Sequence, residues 1–118
     1  AVGSNSLDAN TTGAKNTAIG NSALGANTTA DNNTAIGFDS LLANTTGNTN
    51  TAVGKDAMKA TTTGISNIAI GWDSASDLTT GENTGALPSN EVSALAVHSK
   101  PGPHWSGPQR WSWRRHPR

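Results

Sequence analysis

The chain has 118 residues, of which 33% are hydrophobic and 4% aromatic, with no cysteine, no tyrosine and one phenylalanine. That allows one domain at most, poorer in apolar residues than the roughly 45–50% of an ordinary globule; it excludes a disulfide framework and thiol chemistry, and no apolar run reaches the roughly 18 residues of a membrane span. The formal net charge of zero hides a division: residues 1–97 carry Lys15, Lys55 and Lys59 against eight acidic residues, whereas residues 98–118 carry Lys100, Arg110, Arg114, Arg115 and Arg118 and no acid.

In chain order, the first element met is Ala1-Val2-Gly3, and it returns as Ala18-Ile19-Gly20, Ala35-Ile36-Gly37, Ala52-Val53-Gly54 and Ala69-Ile70-Gly71, every 17 residues. Four positions after each glycine stands Leu7, Leu24, Leu41, Met58 or Ala75. A polar run follows, as in Asn10-Thr11-Thr12-Gly13, Asn27-Thr28-Thr29-Ala30 and Asn44-Thr45-Thr46-Gly47. A constant period without insertions means that each unit stacks on a copy of itself. The chain opens in mid-repeat and shows no signal peptide, so it reads as a piece of a longer or processed protein.

Within one repeat, Thr17-Ala18-Ile19 is a short β-branched run closed by Gly20, a strand of about four residues. Ser22-Ala23-Leu24 is expected to form a second short strand. Asn27-Thr28-Thr29 and Asp31-Asn32-Asn33 are turn chemistry, with side chains that bond their own backbone and tolerate left-handed conformations. No window shows a helical stripe. The expected fold is all-β: a parallel β-solenoid, a β-roll or β-helix, of 17-residue coils through residue 84. With parallel neighbours about 4.8 Å apart, five coils make a rod roughly 20–25 Å long.

Each coil has only two large aliphatic side chains, worth roughly 2 kcal/mol apiece when buried. The expected repeat core is Ile19, Leu24, Ile36, Leu41, Val53, Met58 and Ile70. In a strand, Ala18 and Gly20 face one way while Thr17 and Ile19 face the other. So thin a roll needs a neighbour, and the simplest solution is several copies side by side, a homotrimer with the aliphatic column between chains.

The segments Asn16-Thr17-Ala18-Ile19-Gly20-Asn21-Ser22-Ala23-Leu24 and Asn44-Thr45-Thr46-Gly47-Asn48-Thr49-Asn50-Thr51-Ala52-Val53-Gly54 resemble the repeats of phage tail fibres and related surface proteins. They are similar also to the head repeats of trimeric autotransporter adhesins, which carry Ala-Ile-Gly in shorter coils. The resemblance covers about residues 1–84. It implies a trimeric fibre, extracellular or on a virion surface, with an adhesive or spacer role and a host-surface glycan or receptor as partner.

After residue 84 the pattern stops. Asn83-Thr84 arrives one residue early, and Gly85-Ala86-Leu87-Pro88 replaces the expected Ala-Ile-Gly. All five prolines, all three histidines and all four arginines follow residue 87. Residues 85–118 thus form a Pro/Trp/Arg-rich tail, either a cap for the open end or a non-native extension. As a cap, Trp105, Trp111 or Trp113 would pack on the final coils, because tryptophan is costly to leave in water beside an apolar end.

Phe38 and Trp72 share one repeat position with Lys55 and are candidates for stacking on a sugar or packing on a neighbouring protomer. Asp39, Asp56 and Asp73 share another, and read as turn acceptors on a solvated edge sooner than as a cation site. Thr11, Thr28, Thr45, Thr62 and Thr79 form one column, with a second threonine after each. Such threonine ladders on a solenoid give an alternative reading, ice binding, although adjacent threonines point apart and no coil offers an outward Thr-x-Thr pair. Asn10, Asn27, Asn32 and Asn44 match the glycosylation sequon, as chance allows in so Asn-Thr-rich a repeat. His98, His104 and His116 lack metal-site spacing, and all lie in the tail, so no Ser-His-Asp arrangement arises. The basic-aromatic tail has the composition of a single-strand binder, yet a cap or extension explains it as well. The expectation is a protein without catalysis, cofactor, metal, nucleic-acid partner or membrane insertion.

Overall fold

The computed structural model describes residues 1–86; the three tail tryptophans lie outside the described residues. Five parallel strands form one sheet in sequence order: β1 Thr17–Ile19, β2 Thr34–Ile36, β3 Thr51–Val53, β4 Ile68–Ile70 and β5 Gly85–Ala86. Val2 adds a parallel bridge to Ile19 from the first coil. The register is the sequence period itself: Ala18 pairs with Ala35, Ala35 with Ala52, Ala52 with Ala69 and Ala69 with Ala86. No helix occurs among the described residues.

Each coil after the first has one strand, not the two expected from its sequence. The stretch Ser22-Ala23-Leu24 is a turn, because Ser22 and Leu24 adopt φ of 57° and 53°. Left-handed residues break an extended run. They do not break the ladder. Ser22 N–H donates back to the Ser4 carbonyl and Leu24 N–H donates forward to the Ser40 carbonyl. The next coils repeat this at Asp39 and Leu41, then at Asp56 and Met58. Alternating the direction of successive peptide groups lets a tight corner keep its bonds to both neighbouring coils.

Asn32, Thr49 and Ser66 make a third left-handed corner at φ of 60°, 60° and 56°. Strain of this kind costs on the order of 1–3 kcal/mol per residue and persists only where the surroundings over-determine the geometry. Stacking supplies that constraint. Gly37 answers a stricter demand: its φ is 133°, and a Cβ there would sit 2.5 Å from the Gly54 carbonyl oxygen of the next coil.

The core divides the expected aliphatic set in two. Leu24, Leu41 and Met58 are fully buried and pack with Ala18, Ala35, Ala52, Ala69, Ala23 and Ala57. Ile19, Ile36, Val53 and Ile70 lie on the other side of the strand, outside the coil; Ile19 is 43% and Ile70 48% exposed. Strand alternation gives the interior to alanine. A 17-residue coil is too narrow for an aliphatic side chain from both walls, so leucine fills it from the corner and alanine from the strand.

The register does not slip at the fifth repeat. Gly85 pairs with Ile68 and Ala86 with Ala69, and Thr84 N–H donates to Asn67 Oδ1 at 2.9 Å as Asn67 N–H does to Asn50 Oδ1. Thr84 therefore stands in the asparagine position of the coil. The apparent early arrival of Asn83-Thr84 is a substitution at fixed register, since the ladder bonds hold the backbone spacing whatever side chain is present.

Candidate functional site

The feature with functional potential is the outer face of the sheet. Thr17, Thr34, Thr51 and Ile68 make one outward column and Ile19, Ile36, Val53 and Ile70 the next, continued by Val2. Two residues further along each coil stand Ser4, Asn21, Phe38, Lys55 and Trp72. Phe38 is 47% and Trp72 64% exposed. The two expected contact residues thus flank the aliphatic column in surface-accessible positions. Exposed apolar groups collected on one face are unusual for a monomer.

Charge is arranged beside this face. The Lys55 ammonium lies 5.8 Å from the centre of the Phe38 ring and 2.8 Å from Asp56 Oδ2. Lys59 bridges Asp39 and Asp56 at 3.3 Å each. The hydrogen bond from Lys55 is the main reason that the Asp56 carboxyl titrates below its ordinary value; partial burial opposes it, and Lys59 adds to it. Asp56, and then Asp39, raise the Lys59 ammonium in turn. In the stacked carboxylate column, then, Asp39 and Asp56 are held by lysines, while Asp73 is exposed. Among the described residues no group of His, Cys, Asp and Glu could hold a metal ion.

The polar interior holds two asparagine ladders that sequence reasoning read only as turns. In the first, Asn16, Asn33, Asn50 and Asn67 each accept the N–H of the following coil and donate Nδ2 to a carbonyl of that coil, at Ala30, Gly47, Gly64 and Gly81. In the second, Asn27 Nδ2 donates to Asn10 Oδ1 and Asn44 Nδ2 to Asn27 Oδ1. Thr61 follows in this column; its hydroxyl donates to the Leu78 carbonyl instead, leaving Asn44 Oδ1 buried without a partner. The available signal was asparagine recurring at the coil period in two phases.

The ladders bear on the sequons and on the threonines. Asn27 and Asn44 are fully buried, and Asn10 is bonded to Gly13 and Asn27, which leaves Asn32 as the one exposed sequon among the described residues. Thr11, Thr28, Thr45 and Thr62 spend their hydroxyls on the carbonyl one coil ahead. The following threonines, Thr12, Thr29, Thr46, Thr63 and Thr80, are exposed. No family model, curated protein or solved structure matches the chain.

Proposed function

We propose that this chain is a structural or adhesive segment of a surface fibre, without catalysis, that works as a homotrimer on a cell or virion surface. The observation that carries the reading is the placement of Ile19, Ile36, Val53 and Ile70 outside the coil, in register on a parallel sheet. A stack of coils bonded to one another by backbone and asparagine, with Leu24, Leu41, Met58 and the alanines packed inside, resists extension. Its outer face is large in apolar terms. Phe38 and Trp72 belong to a class that carries about 150–250 Å² each. With the half-exposed aliphatic columns they give an apolar patch on the order of a few hundred Å², the size that marks an interaction site. Identical copies laid side by side cover it with the fewest distinct contacts. Ice binding finds support only in the single exposed column from Thr12 to Thr80, because the neighbouring threonine hydroxyls are spent within the stack.

The test is Ile36→Asp. A charge in an apolar seam costs several kcal/mol unless it is neutralised or paired. The variant is expected to sediment as a monomer where the parent sediments as a trimer, with its β-sheet signal kept, because Ile36 is not part of the coil's own core. An unchanged trimer would overturn the reading.

A further inference from the structure

We propose that Phe38 and Trp72 form a platform for a neutral, extended, β-1,4-linked pyranose chain lying along the axis of the stack. The proposal rests on the adhesive reading above and names its ligand class.

The argument starts from where the aromatic residues fall. The described residues hold two aromatic side chains, Phe38 and Trp72, and both occupy the same position of the 17-residue repeat. Each follows the glycine that closes a strand, Gly37 or Gly71. Neither belongs to the core cluster, and the two are 47% and 64% exposed. Core packing thus accounts for neither ring.

Stacking converts the shared position into a distance. The rings are two coils apart, about 9.6 Å along the axis at about 4.8 Å per coil. An extended β-1,4-linked pyranose chain advances by nearly one coil spacing per sugar and turns each ring over relative to the one before. Alternate sugars then present the same face, and they recur at the spacing of the two aromatic rings. The flat face of a β-pyranose is a set of axial C–H groups, which suits the negative face of an aromatic ring. An α-1,4-linked chain coils and does not hold this alignment.

The groups beside the rings are polar and locally neutral. Lys55 lies on the intervening coil, with its ammonium 2.8 Å from Asp56 Oδ2 and 5.8 Å from the centre of the Phe38 ring. Asp56 matches its charge, so it serves as a hydrogen-bond donor at the level of the middle sugar. The exposed Asn21 amide, one coil before Phe38, adds a second polar group. Charge selects against acidic sugars. The described residues carry three lysines against seven acidic residues, and Lys55 and Lys59 are both held by aspartates. An anionic polysaccharide meets a repulsive field there, and a neutral one does not.

The test is isothermal titration calorimetry of the full chain with three neutral β-1,4-linked hexasaccharides, those of glucose, mannose and N-acetylglucosamine. Maltohexaose and a β-1,4-linked mannuronate hexamer serve as the α-linked and anionic controls. At least one neutral β-linked hexamer is expected to bind, and the controls are not. Affinity should step up between the disaccharide and the trisaccharide of the bound sugar, because three sugars are needed to reach both rings. Phe38→Ala and Trp72→Ala should each weaken hexamer binding by about tenfold or more and remove that step, whereas Phe38→Tyr should keep both. The β-sheet signal should persist in every variant, because neither ring is in the core. The proposal is overturned if none of the three neutral hexamers binds, if either control binds as well as they do, or if the step survives either alanine variant. Sedimentation of the same samples reads self-association separately. A trimer that binds no sugar overturns this proposal alone; a monomer that binds with the expected step supports it and overturns the trimer.

Discussion

Asn50 shows how the interior works at the scale of one residue. Its backbone N–H donates to Asn33 Oδ1, its Nδ2 donates to the Gly64 carbonyl at 2.7 Å, and its Oδ1 accepts from Asn67 N–H at 3.0 Å. A buried group that loses such partners bears the full desolvation penalty, about 1–3 kcal/mol for each donor or acceptor left unpaired. Asn50→Ala is therefore expected to lower stability by about 2–4 kcal/mol, with Asn67 N–H and the Gly64 carbonyl stranded. Thr61 gives the opposite case. It interrupts the second ladder and leaves Asn44 Oδ1 unpartnered. Thr61→Asn is nearly volume-neutral and should raise stability by about 1 kcal/mol by donating to Asn44. Chemical denaturation of the three proteins checks both, and a destabilised Thr61→Asn would contradict the ladder account. The ladders were only half legible in the sequence. Asparagine at a fixed phase was plain, but turn-forming and inward-facing asparagines share the same letters, and only the corner geometry separates Asn32 from Asn33.

At the scale of the element, one strand of three residues carries the pattern that sorts inside from outside. The parallel register, the coil length and the glycine column were readable from spacing alone, because stacking converts sequence period directly into spatial neighbours. The wall to which each apolar column belongs was not. Leu24 and Ile19 are equally hydrophobic, and the left-handed backbone at Ser22 and Leu24 that turns leucine inward has no marker, since Leu is an uncommon residue at φ of 53°. The two columns should respond differently to truncation. Leu41→Ala opens a void in a fully buried position and is expected to cost about 2–5 kcal/mol whatever the protein concentration. On the proposed association Ile36→Ala should cost little where the chains are dilute and monomeric, and its effect on the melting temperature should grow to a plateau as protein concentration rises. Thermal melts over a hundredfold concentration range distinguish them. A concentration-independent loss for Ile36→Ala would place that side chain in the coil's own core.

At the scale of the whole molecule, the account joins a rod that bonds to itself along its axis with a face that bonds to copies across it. The axial part is backbone and asparagine, repeated through Ala86 without a break in register. The lateral part is the aliphatic column with its aromatic flank, and on it rests the proposal that the chain builds a fibre. Sedimentation equilibrium of the unmodified chain at micromolar concentration tests that proposal most directly. The account predicts a mass three times that of the 12.0 kDa chain, falling toward one chain on dilution. A monomer that persists at every concentration and still melts cooperatively would contradict it.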